Sequence, residues 1–361
     1  MRWVWVTAIV AGLGGCVAEG GSERPEGKLY LSNVLNNTVT ILDAKSGRVL
    51  KKLESGTLPH NFAFSTDQKR LFLTNTGSQS VSVIDTETDR IIHDIALAPL
   101  PDNAAHRRTR AANAKSCKDC HPNPVGVLPA GIARTPDGEH FVVTNLKGPT
   151  LSKFNARTYA LEATVKLTYP VQKFPSNLIF HPTRDELYVL NRPEFKGVGR
   201  LTVMDGAFRV KRHLPVIKQP WGMAVSADGR ELFIASRATN KIQVWDTRSW
   251  TLSRTLISGN GPVAIHLSPE GKLYTANYYT SRPSYMSVLD PNTGRTLKRI
   301  ETAADLTMLA VDPTQRFMYL ANCGGNKVQV IDLTVDRVVF EMHGGPFPLD
   351  VAFLPKRASA L

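Results

Sequence analysis

Apolar residues along this chain come in short alternating runs, with no long helical-period stretch. Seven four-residue segments begin aromatic or aliphatic and end small or polar: YLSN (30–33), FLTN (72–75), VVTN (142–145), YVLN (188–191), FIAS (233–236), YTAN (274–277) and YLAN (319–322). About ten residues after each, a second apolar strand closes on an acidic turn, as in VTILD, VSVID, QVWD and VQVID. The turn positions are Asp43, Asp85, Asp205, Asp246, Asp290 and Asp332, with Asn155 in place of the missing member. A third column is proline ahead of a further strand: Pro59, Pro129, Pro175, Pro220, Pro262 and Pro348, with Leu306 standing in once. Four residues beyond it lies Ala63, Ala133, Ala224, Ala310 or Ala352, the exceptions being Ile179 and His266. Alternation of this length, bounded by Asp, Gly and Asn, predicts antiparallel strands. The repeated acids sit where turns need them, so they read as turn-formers and not as a catalytic set.

Copies of about 42 residues, each one small sheet, imply a closed ring of blades more readily than an open solenoid. The chain enters in a YLSN strand and ends in an inner-type strand, Leu349 to Phe353; pairing the two would complete one blade. The wording of the repeats, a TN-type strand, then VxVID, then P-x-G-x-A-xx-P-D-G, resembles the YVTN family of β-propellers over roughly residues 28–355. That resemblance implies an all-β fold, a seven-bladed β-propeller of four-stranded antiparallel blades closed by pairing of the N- and C-terminal strands. Residues 356–361 would be a tail.

The repeat also measures its own exceptions. Asp43 to Pro59 spans 16 positions, Asn155 to Pro175 spans 20 and Asp205 to Pro220 spans 15, but Asp85 to Pro129 spans 44. One blade connection therefore carries an insertion, approximately Pro99 to Leu128, expected on the face where such connections converge on the channel mouth. Long loops on rigid scaffolds usually carry function. This one is too short to enclose a core of its own.

Inside the insertion lies CKDCH: Cys117, Cys120 and His121. Two thiols at this spacing with a histidine directly behind is the pattern of covalent c-type haem attachment, with Cys117 and Cys120 bound to the porphyrin and His121 on the iron. A vicinal disulfide or half of a zinc site are the bland alternatives. Zinc wants four ligands, and no second Cys/His cluster of suitable spacing exists. The cofactor expected is haem c. For the sixth iron ligand the candidates are His60, directly after a column proline, then His106 within the insertion and His343 in HGGPFP; Met223 and Met308 begin inner strands, and the site could stay open. His266 replaces a column alanine and reads either as a functional group pointing into the channel or, more simply, as a histidine satisfied within a blade. Cys323 reads as a buried small residue, and Trp221, Trp245 and Trp250 as packing between blades.

The compartment follows from the first line. Met1-Arg2 is a short positive start, Trp3 to Leu13 is almost wholly apolar, and LGGC (13–16) follows. Such a run suits a secretory signal (1–15) and is too short to span a bilayer. LGGC resembles the bacterial lipobox, which implies cleavage before Cys16, lipid on Cys16, and a tether over 16–27. Val17, where an aspartate would signal otherwise, is similar to the pattern favouring the outer membrane. The mature chain is then exported to the periplasm or cell envelope and lipid-anchored, and nothing later is long and apolar enough to span a membrane. Outside the cytosol thiols end as disulfides, metal ligands or thioethers, and three after Cys16 is an odd count.

Of 361 residues, 44 are Lys or Arg against 31 Asp or Glu, a net charge of +13. Positive charge gathers at His106-Arg107-Arg108-Thr109-Arg110, Lys115 and Lys118. An exported chain does not meet nucleic acid; a basic rim around a redox centre suits an acidic electron-transfer partner. Three functional readings follow: an anchored c-haem propeller in electron transfer, alone or within a redox complex; a haem enzyme acting on a small molecule at the channel mouth; or a non-enzymatic binding scaffold. Whether the protein is an enzyme stays open at this point.

Overall fold

The computed structural model describes residues 24–97, 127–167, 174–193, 197–278 and 284–356. Among them lie 28 strands and no helix, gathered into seven antiparallel sheets of four strands. Blade one joins β28 (Pro348–Pro355), β1 (Gly27–Asn33), β2 (Thr38–Asp43) and β3 (Val49–Glu54), from the pore outwards. Blade two holds β4 (Pro59–Phe64), β5 (Arg70–Asn75), β6 (Ser80–Asp85) and β7 (Arg90–Ala96). Blade three runs from β8 (Pro129–Arg134) through β9 (His140–Asn145) and β10 (Thr150–Asn155) to β11 (Leu161–Lys166). Blades four to seven repeat the order from β12 (Phe174–Phe180), β16 (Pro220–Val225), β20 (Pro262–Leu267) and β24 (Leu306–Val311), their outermost strands ending with β27 (Arg337–His343). Each innermost strand touches the next, and β24 touches β28, which touches β4, so the ring closes. Closure is the pairing of the chain's two ends: β1 and β28 are antiparallel, with Tyr30 opposite Ala352.

The repeat columns explain why. The YLSN-type segments are the second strand of every blade, sandwiched on both faces, so their apolar residues are buried without alternation; Tyr30, Phe72, Val142, Tyr188, Phe233, Tyr274 and Tyr319 are all fully buried. The hydrophobic core is not central. It is divided into clusters that each fill one gap between neighbouring blades: Leu29 and Leu31 face Phe317 and Tyr319 of blade seven, while Tyr30 and Ile41 face Leu71 and Leu73 of blade two. The acid column ends each third strand and caps its turn, as where Asp246 Oδ1 accepts the Arg248 and Ser249 N–H groups. These turn hydrogen bonds pull Asp43, Asp246 and Asp290 below the usual carboxylate range.

Two gaps carry a repeated polar latch. Tyr30 Oη donates to Asp89 Oδ1 and Lys28 Nζ meets Asp89 Oδ2, each at 2.6 Å, tying blade one to blade two. Tyr274 and Lys272 hold Asp336 in the same way between blades six and seven.

Candidate functional site

All inner strands begin on one face of the ring, and the hairpins after the second strands lie there too. On that face, in blade two, both ends of the long insertion meet at one residue. Gln79 holds the left-handed conformation (φ 55°) in the β5–β6 hairpin and is 1 % exposed. Its carbonyl accepts the Leu97 N–H at 2.9 Å, and its side-chain Oε1 accepts the Val127 N–H at 3.0 Å. Elsewhere an asparagine does the same for a short connection: Asn37 accepts from Ser55 and Leu58, Asn240 from Ser258 and Gly261, and Asn326 from Gly344 and Phe347. The insertion thus leaves and re-enters through the ordinary inter-blade socket. Its return is seated by Leu128, packed on Ala130 and Leu146. Cys117, Cys120, His121 and His106 lie within 98–126, and Cys16 within 1–23, outside the described residues.

His60, also in blade two, is the second residue of β4 and lies on the same face. Its Nδ1 lies 2.7 Å from Asn61 Oδ1. Asn61 Nδ2 donates to Asp350 Oδ2 at 3.1 Å, which fixes which way the amide faces. An amide oxygen only accepts, so His60 Nδ1 carries a proton; in the neutral ring Nε2 then keeps the lone pair, the tautomer an iron ligand requires. Asp350 is 8 % exposed and also accepts the Phe62 and Val351 N–H groups. Burial nevertheless pushes its carboxyl up to about 6. Asp350 and His60 come from blades one and two, so this relay exists only because the ring closes.

The other candidates are placed differently. His343 is exposed at the end of β27, the outermost strand, on the correct face but about 15 Å from the pore by three inter-strand spacings. Met223 and Met308 pack against the inter-blade cores. His266 is not satisfied within its blade: its Nε2 is buried without a hydrogen-bond partner among the described residues, and burial holds its pKa down at about 4. Cys323 is buried, its thiol donating to the Asp305 carbonyl at 3.3 Å, and burial raises it to about 12. Trp245 and Trp250 are buried in the gap between blades four and five, as the sequence suggested. Trp221 instead lies at the pore mouth under arginine side chains.

That arginine cluster was missed. The residue just after each second-strand YLSN-type segment forms its own column: Val34, Thr76, Leu146, Arg192, Arg237, Tyr278 and Cys323. Two successive arginines in a ring-facing column were the available signal. Among the described residues no three His, Cys, Asp or Glu side chains gather as a metal site. Of the candidate iron ligands among the described residues, His60 is the one placed at this mouth with an imidazole tautomer that fits the role. A cavity of about 660 Å³ lies on the opposite face between blades one and two. Its charges neutralise one another, Glu26 pairing with both Lys45 and Lys356.

No family model matches the chain. It is 26% identical over 243 residues to antigen Lp49 of Leptospira interrogans, an alignment covering 60% of this chain and 51% of the antigen. It is 26% identical over 121 residues to a seven-bladed β-propeller protein of Mycobacterium tuberculosis, covering 33% of this chain and 31% of that protein. The chain thus spans about half the length of the first relative and about a third of the second. A protein of unknown function from Desulfotomaculum acetoxidans superposes with a TM-score of 0.69 at 12% identity, covering 92% of this chain and all of that one. Dihydro-haem d1 dehydrogenase, solved in complex with DHE, superposes with a TM-score of 0.61 at 17% identity, covering 91% of this chain and 66% of that one. At these identities the superpositions establish the fold: this chain is a seven-bladed β-propeller.

Proposed function

We propose that this protein is an exported, lipid-anchored propeller of the YVTN type that carries a c-type haem on its inter-blade insertion and passes electrons, alone or within a larger redox complex. The observation that carries the reading is the Gln79 socket: the CKDCH-bearing segment departs and returns at one buried residue on the pore-mouth face, in the blade that also presents His60. Cys117 and Cys120 would hold the haem by thioethers, His121 would bind one side of the iron, and His60, oriented through Asn61 and Asp350, the other. The group supplies reversible one-electron transfer. The chain supplies attachment, an oriented imidazole and a basic surface for an acidic partner. A protein of similar fold bears the name dihydro-haem d1 dehydrogenase, which supports a haem-related role.

A second reading, a haem enzyme acting on a small molecule, is favoured by the guanidinium cluster at the mouth. Haem staining of a denaturing gel tests the first step, because thioether-bound haem survives denaturation. Protein from a host competent in cytochrome c maturation should stain, and Cys117→Ser with Cys120→Ser should not. A colourless wild type removes the redox assignment. Loss of membrane association on Cys16→Ala checks the anchor.

A further inference from the structure

Arg192 closes β13 (Glu186–Arg192), Trp221 is the second residue of β16, and Arg237 and Tyr278 follow the second strands of blades five and six, all on the pore-mouth face. The Arg192 guanidinium lies 4.2 Å from the Trp221 ring centre and that of Arg237 5.0 Å from the same ring. Arg237 also lies 4.2 Å from the centre of the Tyr278 ring. One indole thus carries two like charges. Among the described residues the Arg192 guanidinium makes no hydrogen bond and no ion pair; the Trp221 ring and the Arg237 charge lie beside it, and it keeps partial contact with water. Burial, with Arg237 adding to it, pulls Arg192 down to about 10, and no carboxylate pulls it back.

An aromatic face offsets part of a guanidinium's desolvation but does not use its donors. Two guanidiniums brought to one indole, each still partly open to water at the pore mouth, repel one another, and an anion set between them relieves that repulsion. Oxyanions meet this need, since the planar fork takes a carboxylate or phosphate through two parallel N–H···O bonds. We propose that Arg192 and Arg237, with Trp221 and Tyr278 as walls, form an anion-binding site for a carboxylate or phosphate group at the mouth of the pore.

The inference stands on this geometry alone and not on the haem reading, although the carboxylate could be one that a haem bears at its own edge. The two sources are separated by calorimetric titration of succinate and of inorganic phosphate, at low salt, into full-length protein made with and without haem maturation. Haem-free protein should bind at least one of the two saturably. Arg192→Gln and Arg237→Gln should each weaken that binding about tenfold or more, with Arg192→Lys intermediate. Arg299→Gln, which alters an exposed guanidinium 4.8 Å from the Tyr285 ring on an outer strand, should leave it unchanged. If haem-loaded protein refuses succinate that haem-free protein accepts, the haem's own carboxylates occupy the site; if both accept it, the ligand is a free small anion. Absence of saturable binding by folded haem-free protein, or wild-type affinity in both glutamine variants, overturns the proposal. A colourless preparation that still binds leaves this site standing and removes the haem.

Discussion

The side-chain oxygen of Gln79 accepts the backbone N–H of Val127 at 3.0 Å, across the whole span of the insertion. With Leu97 held by the Gln79 carbonyl, one buried residue grips both ends of a segment that other blades replace by a few residues. Lengthening a connection from about five to about thirty residues adds roughly 1.5 kcal/mol of closure cost, at ~0.6 kcal/mol per doubling. One hydrogen bond of the usual size offsets most of that.

Gln79→Ala removes the acceptor and leaves the Val127 N–H without it. The expected loss is about 1–2 kcal/mol, read as a fall of a few degrees in the calorimetric unfolding midpoint. A midpoint identical to wild type would show that the anchor contributes nothing.

Asp350 makes stability depend on pH in an unusual direction. Its folded-state pKa of about 6 stands above the ordinary carboxylate value, because burial disfavours the charge more than its three donors favour it. Between about 4 and about 6 the folded chain therefore binds the extra proton. The group's contribution is fully present below that window and lost as pH rises through it, by about 2–3 kcal/mol. Denaturant titrations from pH 4 to 7 should show this decrement in wild type minus Asp350→Asn; a flat difference refutes it.

Two tyrosines of one repeat column should respond oppositely to the same change. Tyr274→Phe strips a hydroxyl from the Asp336 latch and should cost about 1–3 kcal/mol. The Tyr319 hydroxyl is buried with no hydrogen-bond partner among the described residues. Tyr319→Phe should be neutral or stabilising, since it removes an unsatisfied group. Paired urea unfolding curves decide the matter, and equal losses in both would contradict it.

His60→Ala should convert the proposed haem from six- to five-coordinate. The reduced spectrum would then shift on adding carbon monoxide, where wild type resists. Asn61→Ala should weaken the same resistance without removing the imidazole, because the Nδ1 proton loses its acceptor. A wild type that already binds carbon monoxide assigns the open-iron reading instead.

Much of the architecture was legible because its causes are local. Alternation in YLSN or FLTN, an aspartate such as Asp246 that caps the next turn, and a proline such as Pro220 that opens an inner strand each act within a few residues. The excess length between Asp85 and Pro129 likewise announced the insertion. The candidate site was legible only in part. His60 was singled out by its place after Pro59, but nothing near it in sequence pointed to Asp350. Trp221 read as packing because an indole beside Gly222 looks apolar until the side chains over it are known.

The blade count, the order of strands and the joining of the chain's ends were determined by the sequence alone, since repeats and turn chemistry are written in consecutive residues. Which side chains meet at the mouth was decided only by the tertiary structure. Asn61 and Asp350 stand 289 positions apart and touch because the ring closes, and Arg192, Trp221 and Arg237 share one ring because neighbouring blades converge on a common axis. Convergence is a property of the closed circle, and no single repeat contains it.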